Sequence, residues 1–402
     1  MNRPGRFFAA LFLCSALPGA ALDFGLILRQ TPVFTDGEES YGAFEYTGTA
    51  IPWFSSSLDS RSELYLSGGF SIKLKNKEWK PLGELYRFEY IYNFPSNLRL
   101  DLGRFPVQGS LPFSFNGLFD GASAAFTIGG GRFRAGIFYT GLLYKESAKI
   151  IMSQKDKDNF ADDDIYFASR RIVAGVHWEQ TGLLGRRNTL SLSGIGQFDL
   201  NGIGENDYIA LHSQYLEAKF SIPLGNGFYT ESGGVFELFE NSEDETGTAF
   251  AALASISWLL PTALQDSLSL GGRFSSGAWN DTVVAFLPIT AQSQGRVLNP
   301  SLTGIALIEG AYITRLWSAL SAELSAVYYF RTDEISFFDS GMDDLSKSPL
   351  LGGEIYGALT WVPFSDMTFT AGAGVFLPKT GRVFRDDADS KYRVSLEAVI
   401  SF

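Results

Sequence analysis

Residues Lys391–Phe402 read K-Y-R-V-S-L-E-A-V-I-S-F. Tyr392, Val394, Leu396, Ala398, Ile400 and Phe402 share one parity. Arg393, Ser395, Glu397 and Ser401 share the other, with Val399 the one exception. A strand sends successive side chains to opposite faces, so this segment has an apolar face and a polar face along its whole length. In water, an edge strand this apolar would recruit another chain unless it were paired. A strand that closes a membrane barrel has lipid on one side and water on the other, and that setting demands this pattern.

The segment resembles the C-terminal strand of Gram-negative outer-membrane β-barrels, which the assembly machinery recognises by a terminal Phe and alternating apolar residues. The resemblance covers the last dozen residues. It implies that Phe402 meets the assembly machinery, and that lipid and lipopolysaccharide surround the rest of the chain.

The other end carries a matching address. Arg3 and Arg6 precede an apolar run from Phe7 to Leu17, and Gly19 and Ala21 suit the −3 and −1 positions of a cleavage site before Leu22. A charged start, a short apolar middle and a small-residue exit describe a secretory signal peptide over residues 1–21. The run is too short to anchor in a bilayer. The rival is a lipoprotein signal with Cys14 as the lipidated residue, but Leu13 stands where a small residue is usual. The expected division is a signal peptide, 1–21, and one barrel domain, 22–402. No linker or break in composition marks a second domain.

Cys14 is the only cysteine, so a processed chain has no internal disulfide. A closed hydrogen-bond network is one alternative source of stability. Without the two leader arginines, 30 basic residues face 44 acidic ones, a net charge of −14. So acidic a chain has no electrostatic reason to bind nucleic acid. Aromatic residues make up 15% of the chain and glycines number 43, which suits many strands and tight turns.

The one candidate membrane helix is Thr246–Leu264, which carries no charge. Yet Phe250, Ala252, Ala254, Ile256 and Trp258 share one parity, and Pro261 ends the run, so a strand and a turn are expected. Along the chain about eighteen such segments (sixteen to eighteen) have the length of a tilted outer-membrane strand. They fall near 23–34, 42–53, 62–74, 82–94, 97–106, 118–129, 132–142, 164–180 and 188–199. The second half gives 210–222, 227–239, 248–259, 266–277, 301–314, 318–331, 351–362, 367–377 and 391–402. Tight connections at Pro95-Ser96, Gly129–Gly131, Pro223–Asn226, Arg315–Trp317 and Pro363–Asp366 alternate with long polar ones at 143–163, 200–209, 240–247, 278–300, 332–350 and 378–390. Short turns on one side and long loops on the other characterise such barrels, with the short side periplasmic. An even strand count puts both termini on that side. The predicted fold is all-β: a single closed antiparallel transmembrane barrel of about 18 strands. A periplasmic β-sandwich or β-helix would also alternate, but with shorter strands. Rings at strand ends (Tyr41, Tyr46, Trp53, Trp178, Trp258, Trp317, Tyr328, Phe330 and Trp361) fit interfacial girdles.

Charges on the parity opposite the apolar face are the expected lumen wall. Early strands supply Arg87, Arg99, Arg132, Arg134 and Arg171; later ones supply Glu231, Glu237, Glu309, Glu323 and Glu354. In a closed barrel the first group faces the second. This arrangement resembles the constriction of general diffusion porins, where a transverse field favours polar over oily solutes. Glu63, Asp101, Glu397, Lys73, Arg273 and Arg393 interrupt the segregation, and the plain alternative is local pairing that keeps the interior wet, as between Arg87 and Glu89.

The segment Val283–Ile289 is apolar within a long loop, so it either folds inward or packs against neighbouring loops or a partner subunit. Phe113 and Phe115 make 107–117 a second inward candidate. Its flanks, Gly103-Arg104-Phe105 and Phe119-Asp120-Gly121, resemble porin and alginate-exporter strands. Enzymatic chemistry finds little support. His177 and His212 are the only histidines, there is no Gly-x-Ser-x-Gly elbow, and an outer-membrane protease dyad has only Asp207 with His212 to offer. No Cys/His set has metal-ligand spacing. Asp156, Asp158, Asp162, Asp163 and Asp164 lack the glycine of a calcium-binding hand, leaving a solvated loop or a divalent bridge to lipopolysaccharide. No cofactor is expected. The functional expectation is a passive channel for small polar solutes, with a non-conducting adhesin or structural barrel as the alternative; a homo-oligomer is compatible with either.

Overall fold

The computed structural model describes residues 21–36, 43–75, 77–183, 187–202, 209–242, 245–280, 282–337, 339, 341–343 and 345–402. The expected leader, Cys14, Tyr41 and Asp207 lie outside the described residues. Eighteen strands follow one another: β1 Ala21–Thr35, β2 Ala43–Ser57, β3 Ser62–Lys75, β4 Glu78–Asn93, β5 Arg99–Gln108 and β6 Asn116–Ile128. Then come β7 Gly131–Tyr139, β8 Arg171–Thr181, β9 Thr189–Asp199, β10 Leu211–Gly225, β11 Phe228–Asn241 and β12 Thr246–Leu259. The last six are β13 Ser267–Ser275, β14 Ile305–Trp317, β15 Leu320–Arg331, β16 Leu350–Phe364, β17 Met367–Pro378 and β18 Lys391–Ser401. Two short helices, α1 Lys145–Ala148 and α2 Gln154–Ala161, interrupt the connection between β7 and β8.

Each strand pairs antiparallel with its neighbours in sequence, and β1 also pairs with β18, so the sheet closes. The seam runs from Ile27↔Ser401 to Thr35↔Arg393. It is prolonged by Leu26 N–H to Phe402 O (3.2 Å) and Phe402 N–H to Leu26 O (2.9 Å). Pairing lapses only at Thr31–Pro32, where proline has no amide to give. Closure leaves no free edge, which is the condition for a sheet in hydrocarbon. No helix among the described residues is long and apolar enough to cross a membrane.

The parity read from β18 is the parity observed. Tyr392, Val394 and Leu396 are exposed on the outside, with Leu216, Phe236, Ile308, Leu324 and Ile355 on other strands. Arg393 and Glu397 line the interior instead. Thr246–Leu264 is strand β12 followed by a turn. Two strands start later than expected. Residues 164–170 bond within their loop (Lys145 N–H to Tyr166 O, 3.1 Å; Ala168 N–H to Leu143 O, 2.9 Å), so β8 begins at Arg171. Ser301 bridges to Ser293, which delays β14 to Ile305. β14 also runs through Arg315–Trp317, and the turn is Ser318–Ala319. Trp53 is not in a girdle. It pairs across β2 and β3 with inward Ser67 and stacks on Tyr65 at 6.4 Å, because its position has the inward parity.

The buried apolar core lies inside the barrel at the end that carries the long connections, and loops supply much of it: Leu111, Phe113, Phe115, Phe286, Ile289 and Leu302.

Candidate functional site

The segments 109–115 and 276–304 both turn into the lumen and meet there. Ile289 N–H donates to Ser114 O (2.8 Å), Asn116 N–H donates to Thr290 Oγ1 (3.0 Å), and Gln292 Nε2 donates to Asn116 O (3.0 Å). Phe113 meets Phe286 edge-to-face at 6.3 Å, and Leu111, Phe286, Ile289 and Leu302 are wholly buried. Burying side chains of this size is worth about 1.5–3 kcal/mol each. This answers the choice left open for Val283–Ile289: it folds inward and packs on its neighbour loop. A third segment joins them, since Ala291 N–H donates to Lys149 O (2.9 Å) in the connection between β7 and β8.

Three carboxylates on the wall hold these segments by their backbone. Glu217 on β10 accepts from Ser110 N–H (2.6 Å) and Leu111 N–H (3.3 Å), and from the Ser114 hydroxyl. Glu237 on β11 accepts from Leu287 N–H (2.9 Å) and the Tyr215 hydroxyl (3.0 Å). Glu354 on β16 accepts from Arg296 N–H (2.7 Å), Leu298 N–H (2.9 Å) and the Tyr329 hydroxyl (3.3 Å). An inward loop brings polar amides away from water, and those amides need acceptors. The expectation that Glu237 lines open pore is therefore corrected: its parity is inward, but a loop covers it. Glu354 is held by a loop as well, yet still borders a polar recess. Glu217 was missed; its signal is a carboxylate on inward parity in a strand that an apolar loop must cross.

Arg171 needs the same correction. It is inward and wholly buried. Its guanidinium donates to Asp156 (2.6 Å), Asp199 (3.2 Å), Gln197 Oε1 (2.7 Å) and Leu211 O (3.1 Å). Asp156 closes a capping box with Ser153 at the start of α2 and also accepts from Met152 N–H (3.0 Å). Burial pushes the Asp156 carboxyl up, but the Arg171 charge and the Ser153 amide outweigh it, and the carboxyl sits below its ordinary value. The acidic loop is thus part anchor: Asp156 ties it to the wall and Asp163 meets Lys80 at 2.7 Å. Among the described residues no group of His, Cys, Asp or Glu is arranged to hold a metal ion.

Polar wall remains below the loops. Arg87 pairs with Glu89 and lies 4.5 Å over the Tyr65 ring. Arg99 pairs with Asp101 (2.6 Å) and Glu89 (3.6 Å), and Arg134 stands 4.0 Å from Asp101. Glu231 pairs with Lys219, and Glu309 with Arg273 at 3.2 Å. Arg132 and Glu323 have no ion pair among the described residues. The order of the 18 strands sets β4–β7 half-way round the ring from β14–β16. Each side nevertheless carries its own counter-charges: Glu89 and Asp101 on one, Arg273 and Arg393 on the other.

Three polar recesses adjoin. One of about 520 Å³ is lined by Arg132, Arg134, His177, Glu179, Lys219 and Ser110. It shares Lys219 and Asn116 with a second of about 430 Å³, which shares Arg273, Glu309 and Gln294 with a third of about 610 Å³. Glu323, Glu354, Arg393 and Glu397 complete the third. His177 Nδ1 lies 3.0 Å from Ser193 Oγ on this wall, while His212 Nδ1 accepts from Asp199 N–H (3.1 Å) near the far end of β10. The two imidazoles serve separate places.

No protein-family model and no curated protein matches the chain. Solved structures do. The outer-membrane protein OpdK of Pseudomonas aeruginosa superimposes with a TM-score of 0.62 at 14% identity, over 95% of this chain and 99% of that one. OccK5 (OpdH) of the same organism gives 0.59 at 13% identity, over 94% and 98%. The outer-membrane protein OprD gives 0.58 at 13% identity, over 95% and 94%. Along nearly its whole length, then, the chain has the closed 18-stranded fold of outer-membrane barrels of the OprD kind.

Proposed function

We propose that the chain forms a channel in the outer membrane of a Gram-negative cell and passes small polar solutes passively down their gradients. The observation that carries this reading is the run of three adjoining polar recesses through the interior of a barrel whose outside is apolar. A barrel of about sixteen to eighteen strands is wide enough for an aqueous interior. The inward loops narrow that interior, which favours solutes small enough to pass beneath them. Arg132 and Arg134 facing Glu309 and Glu323 supply the transverse field. The structural likeness to outer-membrane proteins supports the location, and the C-terminal strand supports Phe402 as the contact with the assembly machinery. On this reading the short turns and both termini are periplasmic.

The apolar loop core also favours a second reading, in which loops block the lumen and the barrel serves as a surface protein. Liposome swelling separates the two. Proteoliposomes loaded with an impermeant polymer should swell in iso-osmotic solutions of small sugars or amino acids, and more slowly as solute size rises. Swelling no faster than in protein-free liposomes for every solute supports the blocked barrel.

A further inference from the structure

An ion pair of outward parity is buried among protein groups in the wall, where charge is expensive. Arg104 and Asp120 are register partners on β5 and β6, on the outward parity, and Arg104 lies opposite exposed Phe88. Asp120 accepts a fork from Arg104, Nε to Oδ1 and Nη2 to Oδ2, both 2.7 Å. Nη1 donates to Leu85 O on β4 (2.6 Å), and Nη2 also donates to Leu142 O in the connection after β7 (2.9 Å). One side chain thus ties four segments together, and it is almost wholly buried. The residues beside it are fitted to the same join. A Cβ on Gly103, at φ +109°, would lie 2.1 Å from Phe88 O, and one on Gly121 would lie 2.2 Å from Ile137 O. On the inner face the next register pair is Phe105↔Phe119; Phe105 packs on Phe138, and Phe119 on Phe115 and Phe138. Phe115 is the last residue of the inward segment 109–115, whose ends join through Gly109 N–H to Phe115 O (2.9 Å).

We propose that Arg104 and Asp120 are a positioning pair: from outside the barrel they fix the base on which the constricting segment 109–115 stands. The consequence for conductance rests on the channel reading; the consequence for the segment's position does not. A forked ion pair whose remaining donors meet carbonyls resists both shear and rotation of the two strands. Away from bulk water, neither member is readily left alone. With the join fixed, Phe119 and Phe138, the latter backed by Phe105, present one surface to Phe115, and the segment has one seat.

The test uses the full-length chain with Ser110→Cys as a buried reporter in the segment. Arg104→Lys keeps charge and loses the fork, Asp120→Asn keeps shape and loses charge, and the swapped double variant Arg104→Asp/Asp120→Arg offers a new pair. Assembly is followed by heat-modifiable migration. Assembled Asp120→Asn should react with a water-soluble maleimide about a hundredfold faster than the parent, the shift expected when a buried ion pair loses one member. Its channel currents should be noisier, and the swapped variant should return both readouts towards the parent. Single variants that assemble, label and conduct as the parent does overturn the proposal. If Asp120→Asn fails to assemble, Arg104→Lys decides by the same readouts. Failure of both to assemble also overturns it, since the pair would then serve the barrel and not the segment. A parent that carries no current removes the channel reading, while labelling still decides the role of the pair.

Discussion

Glu354→Ala tests most sharply whether the wall carboxylates are pore lining or loop anchors. Glu354 accepts two backbone amides, Arg296 N–H at 2.7 Å and Leu298 N–H at 2.9 Å, and the Tyr329 hydroxyl at 3.3 Å. Its backbone stays in the ladder whatever its side chain, paired with Val327 and Phe376. Truncation therefore leaves the barrel closed but takes the acceptor from two amides. Each costs about 1–3 kcal/mol when left unsatisfied, so segment 293–299 loses about 2–6 kcal/mol of anchoring. Even the lower figure raises its detached population roughly thirtyfold. Arg296 is exposed, so trypsin can report the change. The assay is limited proteolysis of the refolded, heat-modifiable barrel, with N-terminal sequencing of the cut before Val297. Glu354→Ala should be cut there at least tenfold faster than the parent, with Glu354→Gln in between because its one carbonyl oxygen still accepts. Trypsin resistance equal to the parent, together with changed ion selectivity, would refute the anchor argument and restore Glu354 to the open wall.

Other perturbations probe other parts of the account. Leu396→Arg puts a cation on the lipid face of β18 and should cost about 2–4 kcal/mol, read as lost heat-modifiable migration and reduced membrane yield. Cysteines introduced at Asp163 and Asp387 should react with an impermeant thiol reagent on intact cells, while those at Ser96 and Asp366 should not; the reverse pattern inverts the topology. Because the Asp156 carboxyl is held below its ordinary value, its contribution to stability is present above that value and lost as pH falls through the folded one. The protection of the α2 amides against hydrogen exchange, corrected for the intrinsic slowing of exchange in acid, should therefore fall as pH drops below the carboxylate range, and Asp156→Asn should lose that pH dependence and be weakly protected throughout. Replacing Arg132 and Arg134 by alanine should shift the channel towards cations, and less so at 1 M salt, where the Debye length is only about 3 Å. An unchanged reversal potential would remove them from the selectivity wall.

The fold was legible because period-two patterning is a local property. Each strand announces itself by its own alternation, and the face that β18 turns outward follows once the apolar parity must meet lipid. Strand starts that loops capture were not legible. Residues 164–170 alternate acceptably, yet Tyr166 and Ala168 spend their backbone groups on Lys145 and Leu143. The site was half legible. Parity gave the inward direction of all ten expected charges, but parity does not say what covers a side chain. Arg171, Glu237 and Glu354 are inward and buried because segments far away in sequence fold over them. The apolar run Val283–Ile289 did signal an inward loop. The acceptors on β10, β11 and β16 that hold the two inward segments depend on long-range contacts that no single-strand pattern contains. The Gly-Arg-Phe and Phe-Asp-Gly triplets were visible as motifs, and only the register shows them to be one antiparallel join.

On the channel reading, water runs through this barrel beneath its inward loops. Planar-bilayer recording of purified, heat-modifiable protein addresses it directly. Discrete, long-lived current steps in symmetric salt should appear. Because the wall carries both signs of charge, the reversal potential under a salt gradient should show only mild ion preference. A correctly assembled barrel that inserts yet gives no current steps at any voltage below breakdown would contradict the account and leave a barrel sealed by its own loops.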